Sequence, residues 1–280
     1  MNRAFFVAVL LFACAASAFA SDQKLIALTF DDGPRPYVLY GVHKPGERPT
    51  TGLLDLLDRN NIKATFFVMG WRLTPKTWGE RHEINIGVTC IDAARDEARR
   101  GHEIENHTYS HEPLLQFERK HGAAGALQDI DHCSAVVKAA VGREPEFVRP
   151  PDWILPPDLR SQIEKRGYRV MTIARENPIA VRDVNSLDYL CAGRATQCPK
   201  PSLADSVLKQ IAVREKQGIT DHILAFHELS TTVVTLQTLI PELKARGYQF
   251  VTLDQYMKQV RVPAKIFASA SQPHGRSSGQ

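Results

Sequence analysis

The residues most able to do chemistry come in two short groups. In "LIALTFDDGPRP" an apolar run from Leu25 stops at two consecutive carboxylates, Asp31 and Asp32, and breaks at Gly33-Pro34. Adjacent like charges at a strand end repel unless a cation or a proton relieves them. In "NHTYSH", His107 and His111 stand four residues apart. On a helix that spacing sets both imidazoles on one face, about one turn apart, which suits a shared metal. Zinc held by two histidines and one carboxylate keeps a fourth position open for water. One aspartate of the pair would complete that set, and the other, unligated, would take a proton from the water. Successive strand residues point to opposite faces, so the two carboxylates need not do the same work. Each group alone has a plainer explanation: Asp-Asp-Gly-Pro is at home in a turn, and His-x-x-x-His occurs incidentally on surfaces.

The elements that must position these groups alternate along the chain. Strand-like runs are "KLIALTF", "IKATFFVMG", "HEIENH", "EFVRP", "YRVMTIA", "DHILAFH" and "YQFVTL". Between them lie helix-like segments such as "TGLLDLLDRNN", "CIDAARDEARRG", "ALQDIDHCSAVVKAAVG" and "LADSVLKQIAVREKQG", several of them ending at Gly. Alternation of this kind predicts an α/β fold with a parallel sheet. Polar exceptions gather at the strand ends: Asp31 and Asp32, Asn106 and His107, Arg149, and His227. If the sheet curls into a barrel, all of these meet at its C-terminal face, where barrel enzymes place their chemistry. Tyr37, Tyr40, Trp71 and Trp78 sit in the long loops there and are candidates to stack on sugar rings or to plug the barrel mouth.

The chain has 280 residues, enough for one large domain or two small ones, and with 43% of them apolar and 24% charged it can bury a sizeable core. Its start, Met-Asn-Arg followed by "AFFVAVLLFACAASAFA", reads as an export leader with a small-x-small cleavage site at Ala18-Phe19-Ala20. That segment is short for a bilayer span, so no stable membrane insertion is expected. The expected layout is a leader at 1–20, one catalytic domain at 21–262 and a small, polar, flexible tail at 263–280. Loss of the leader would leave four cysteines in an oxidising compartment. Cys191 and Cys198 flank a short polar loop and are the expected disulfide; Cys90 and Cys133 are then a second pair or buried thiols. A formal charge of +4 without basic runs or basic–aromatic interleaving gives no sign of nucleic-acid binding. The oligomeric state is not legible.

Taken together and in this order, "TFDDGP", "NHTYSH", "FVRPPDW" and "ILAFHE" resemble the polysaccharide deacetylases of carbohydrate esterase family four. The resemblance runs from about Ala27 to His227, with the core continuing to about Val260. It implies a distorted (β/α) barrel, with seven parallel strands expected and the active site at the C-terminal face. It implies Asp31 as general base, Asp32, His107 and His111 as metal ligands, and Arg149 as the partner that holds the base. His227 would be the general acid, oriented by Asp188, with Leu224 and its neighbours lining an apolar pocket for the acetyl methyl. Pro150, Pro151, Asp152 and Trp153 would form the substrate-side turn, and the Asp152 backbone N–H would meet the oxyanion. The sequence departs from the family pattern in three places: "NSLDY" stands for Asp-x-x-Asp-Trp, Asp152 for the aromatic after Arg-Pro-Pro, and Glu228 for the Asp after the histidine.

The implied activity is removal of N-acetyl groups from a GlcNAc-containing glycan by an exported, periplasmic or secreted enzyme. The expected cofactor is a divalent metal, zinc foremost, with cobalt, nickel or manganese able to occupy such a site. Peptidoglycan is the favoured substrate, ahead of chitin oligomers and poly-N-acetylglucosamine. Two alternatives stand beside it: a deacylase acting on acetyl xylan or a formylated sugar-lipid, and an inactive carbohydrate-binding module.

Overall fold

Strand β1, Leu25–Gly33, organises the molecule. Its alternate side chains feed two different cores. Ile26, Leu28 and Phe30 join the main core beneath the surrounding helices. Leu25 and Ala27 join an inner cluster with Phe67, Phe147, Ile223 and Tyr256. A strand buried on both faces needs an almost unbroken apolar run, which explains "LIALTF".

The computed structural model describes residues 24–42, 48, 50–74, 86–172, 182–192 and 197–260. The expected leader and tail, and Trp78, lie outside the described residues. After β1 come α1 (Pro36–Leu39), α2 (Leu53–Arg59), β2 (Thr65–Val68), α3 (Cys90–Arg99), β3 (Glu103–Asn106), α4 (Leu114–Val141) and β4 (Phe147–Val148). Then follow α5 (Pro157–Glu164), β5 (Arg169–Val170), β6 (Asp183–Asn185), α6 (Leu203–Glu215), β7 (His222–His227), α7 (Ser230–Ala245), β8 (Gln249–Val251) and α8 (Leu253–Gln259).

Seven strands run in the order β5-β4-β3-β2-β1-β7-β6, and β8 adds to the lower part of β1. Every pairing among them is parallel. The sheet curls into a half-barrel, and no pairing joins β5 to β6 among the described residues. Helix ends follow local chemistry: Thr89 caps α3, Ser202 caps α6, and Thr252 with Gln255 forms a capping box on α8.

Three features depart from expectation. The short strand β6 carries the sequence Asp-Val-Asn and gives too little apolar signal to be seen as a strand. Helix α4 begins at Leu114, well before the periodic segment, and is broken internally at Gly122, where φ is 71° and ψ 171°. The His107–His111 segment is not a helix but a loop following β3.

Candidate active site

The register of the central strands brings the chemistry to one level. Asp31 at the end of β1 is the Cα partner of His227 at the end of β7. On the other side of β1, the register to β2 shifts between Asp31 and Gly33. Asp32 sits at this irregularity with φ at 68°. A bulge breaks the strand's two-residue alternation. The expectation that the two carboxylates point to opposite faces therefore fails, and both line one cavity of about 440 Å³.

Asp32, His107 and His111 offer three ligand atoms, all within 4.8 Å of one another. Oδ1 of Asp32 lies 3.4 Å from His107 Nε2 and 3.0 Å from His111 Nε2. The two rings converge through a loop in which Thr108 and His111 both have positive φ, 66° and 59°. Thr108 Oγ1 accepts the His111 N–H, and Asn106 Oδ1 accepts the Thr108 N–H. His107 Nδ1 lies 2.7 Å from the Arg149 carbonyl oxygen. A carbonyl only accepts, so Nδ1 carries the hydrogen, and in the matching neutral tautomer Nε2 presents its lone pair. That lone pair faces a buried Asp32 oxygen that has no hydrogen-bond partner. Two acceptors pointed at one another repel unless a cation lies between them, and the donor set fits a divalent metal, with the Arg149 carbonyl orienting one ligand from behind. Burial opposes the charge on Asp32; where protonated imidazoles rather than a metal face it, their hydrogen bonds and charge outweigh that and hold the carboxyl well below the usual carboxylate range.

Asp31 is 1% exposed and is held from inside the half-barrel. Arg149 Nη1 donates to Asp31 Oδ1 at 2.6 Å and to Thr29 Oγ1 at 2.9 Å. The guanidinium lies 4.0 Å from the Phe67 ring centroid and 4.6 Å from that of Trp153. These ring faces offset its loss of water, because Nε and Nη2 are buried without hydrogen-bond partners. Trp153, named for substrate contact, thus packs on Arg149 while also lining the cavity.

His227 is gripped by Asp188, which lies in the short 3-10 turn Asp188–Cys191. Its ring Nδ1 is 2.7 Å from Asp188 Oδ1, and its backbone N–H donates to Oδ2 at 2.7 Å. Thr232 Oγ1 donates to the same Oδ2. Burial disfavours the charged ring, but Asp188, helped by Asp31 and Asp32, pushes the imidazole up to about 9. Cys191 at the end of this turn is disulfide-bonded to Cys198. Cys90 and Cys133 are buried thiols rather than a second pair.

The remaining residues divide. Asp152 lines the cavity, on a turn where Asp152 and Trp153 both have positive φ, 56° and 60°. Pro150 and Pro151 are buried in that turn, and their carbonyls accept the N–H groups of Trp153 and Ile154. Leu224 does not face the cavity. It is fully buried in the main core, because residues two apart share a strand face and His227 shares its face with Ala225. Tyr37 and Tyr40 pack against the main core, and Tyr40 donates to Asp96, so neither is a stacking platform. Asn185 and Tyr189 complete the lining. Tyr189 meets His227 edge-on, with centroids 5.6 Å apart. Asn185 went unrecognised as a lining residue because β6 itself gave no strand signal.

Comparison with known proteins identifies the family and the fold. Residues 20–171 match the family model described as polysaccharide deacetylase. A chitin deacetylase of Pestalotiopsis sp is 31% identical over 163 residues, covering 58% of this chain and 43% of that protein. A peptidoglycan-N-acetylglucosamine deacetylase of Listeria monocytogenes is 28% identical over 250 residues, covering 89% of this chain and 42% of that protein. The chain therefore spans less than half the length of these two relatives. The structure of a family 4 acetyl xylan esterase from Clostridium thermocellum, in complex with a cobalt ion, superposes with a TM-score of 0.58 at 27% identity, covering 85% of this chain and 94% of that one. With the family pattern matched over more than half of its length and the fold shared, this chain belongs to the polysaccharide deacetylase family.

Proposed function

We propose that the chain is a metal-dependent hydrolase that removes N-acetyl groups from a GlcNAc-containing polysaccharide, with peptidoglycan the favoured substrate. The observation that carries this reading is one cavity lined by Asp31, by the Asp32–His107–His111 cluster and by His227, with Arg149 behind the first and Asp188 behind the last. A likeness to a peptidoglycan deacetylase over 89% of the chain supports the choice of substrate. The leader-like start supports action outside the cytoplasm by a domain spanning 21–262.

In this reading Asp32, His107 and His111 hold the divalent ion, zinc by donor type. When bound, it supplies Lewis-acid polarisation of the amide carbonyl and of water. Asp31 takes the proton from the attacking water, and Arg149 holds that carboxylate in place at the cavity. The Asp152 N–H meets the oxygen that becomes negative in the tetrahedral state, the point where fixed donors matter most. His227, with Nδ1 tied to Asp188, has Nε2 left to deliver a proton to the departing amine. The products are acetate and a glucosamine unit.

Likeness to the acetyl xylan esterase favours a second reading, ester cleavage on acetylated xylan by the same centre. Acetate release by metal-analysed protein separates the two across peptidoglycan, chitin oligomers, poly-N-acetylglucosamine and acetyl xylan. Release from N-acetylated glycans, and from peptidoglycan above all, is expected. Release from xylan alone supports the second reading, and glycan binding with no release from any substrate identifies a binding module.

A further inference from the structure

The loop that carries both histidines is shaped by a residue outside the ligand set. Thr108 and His111 hold left-handed backbone conformations. For non-glycine residues such conformations persist only where the surroundings over-determine them. The bonds within the loop secure Thr108 and His111 themselves, at its two ends. Its middle is held from helix α4. Asp129, 8% exposed, accepts the Tyr109 N–H on Oδ2 at 2.9 Å and the Ser110 N–H on Oδ1 at 3.1 Å. Three residues further along α4, the His132 ring stacks on Tyr109, with centroids 3.8 Å apart and planes 11° apart. The phenol donates to Thr74 Oγ1.

We propose that Asp129, with His132 behind Tyr109, is a positioning pair for the metal centre. By fixing the Tyr109–Ser110 backbone it makes His107 and His111 converge on Asp32, and so sets metal affinity. The inference rests on reading Asp32, His107 and His111 as that centre. A carboxylate suits the task because it offers an acceptor to each of two adjacent N–H groups. An asparagine would turn an NH2 donor toward one of them. Neither Asp129 nor His132 touches a ligand side chain, so the effect acts through the backbone.

The test is calorimetric titration of Zn2+ into the metal-stripped full chain, comparing wild type, Asp129→Asn, His132→Ala and His111→Ala, with folding checked by circular dichroism. Asp129→Asn is expected to bind zinc roughly 10–100-fold more weakly, the usual cost of losing an outer-shell partner. His132→Ala should show a smaller loss in the same direction, and kcat of Asp129→Asn should recover towards the wild-type value at saturating zinc. A role in fold stability alone would lower the melting temperature and leave zinc affinity of the folded protein unchanged. A folded Asp129→Asn with wild-type affinity overturns the proposal. Should Asp129→Asn not fold, His132→Ala decides, because its side chain is exposed and its removal opens no core; unchanged affinity there also overturns it. Equal zinc binding by wild type and His111→Ala would sink the metal centre itself, and this inference with it.

Discussion

One carboxylate grips His227 twice: Asp188 Oδ1 meets the ring Nδ1 at 2.7 Å, and Oδ2 accepts the His227 backbone N–H at 2.7 Å. The ring is thereby fixed in both orientation and tautomer, with Nε2 left for the cavity. Asp188 itself is fully buried and further anchored by Thr232, so the pair behaves as one rigid unit between the 3-10 turn and the end of β7.

This pairing sets a pH dependence. The imidazole stands at about 9, above its ordinary 6.5. Its protonation therefore stabilises the fold fully below pH 6.5, and that contribution fades as pH rises through about 9. Replacing Asp188 with Asn should lower the value and move the basic limb of the kcat profile to lower pH. It should also destabilise the protein more below pH 6.5 than above pH 9. Proton titration of His227 by NMR, alongside the pH–rate profile, checks both; an unmoved basic limb would argue against His227 as the acid.

Asp31→Asn and Asp32→Asn should fail differently. Asp31→Asn should keep its metal and lose acetate release by roughly 10²–10⁴, the usual share of a general base. Asp32→Asn should lose metal and activity together. Metal content and acetate release measured side by side decide it, and the opposite pattern reverses the two roles.

Arg149→Ala should be costly to stability as well as to rate. Both members of the Arg149–Asp31 pair are almost fully buried, with side-chain exposures of 0% and 2%. Removing one partner leaves an uncompensated buried charge, a loss of about 3–5 kcal/mol. Chemical denaturation should show this loss, and residual folded enzyme should show a reduced kcat.

Leu224→Ala should separate packing from chemistry. Its side chain lies in the main core, so truncation should cost about 2–5 kcal/mol in unfolding free energy. kcat at a temperature where the variant is folded should stay at the wild-type level. A selective loss of rate without a loss of stability would place Leu224 back at the substrate.

The sequence alone singled out the residues proposed to carry the chemistry and roughly where they stand. A strand buried on both faces must be an apolar run, so "LIALTF" and "DHILAFH" announced themselves, and the polar residues at their ends stood out. The Cys191–Cys198 link was legible from proximity. The two-residue period even held the correction to Leu224, since counting back from His227 reaches Ala225. What only tertiary structure decided is how those residues meet. The irregularity at Asp32 breaks strand periodicity, so no counting rule could bring both carboxylates to one cavity. His107 and His111 converge through left-handed backbone rather than a helical turn. The loop between them is bonded to Asp129, some twenty residues away on a different element. Strand β6 exists because β7 pairs with it, not because Asp-Val-Asn favours a strand. Periodicity reports which way a side chain faces within its own element; what it meets there is set by contacts between elements distant in sequence.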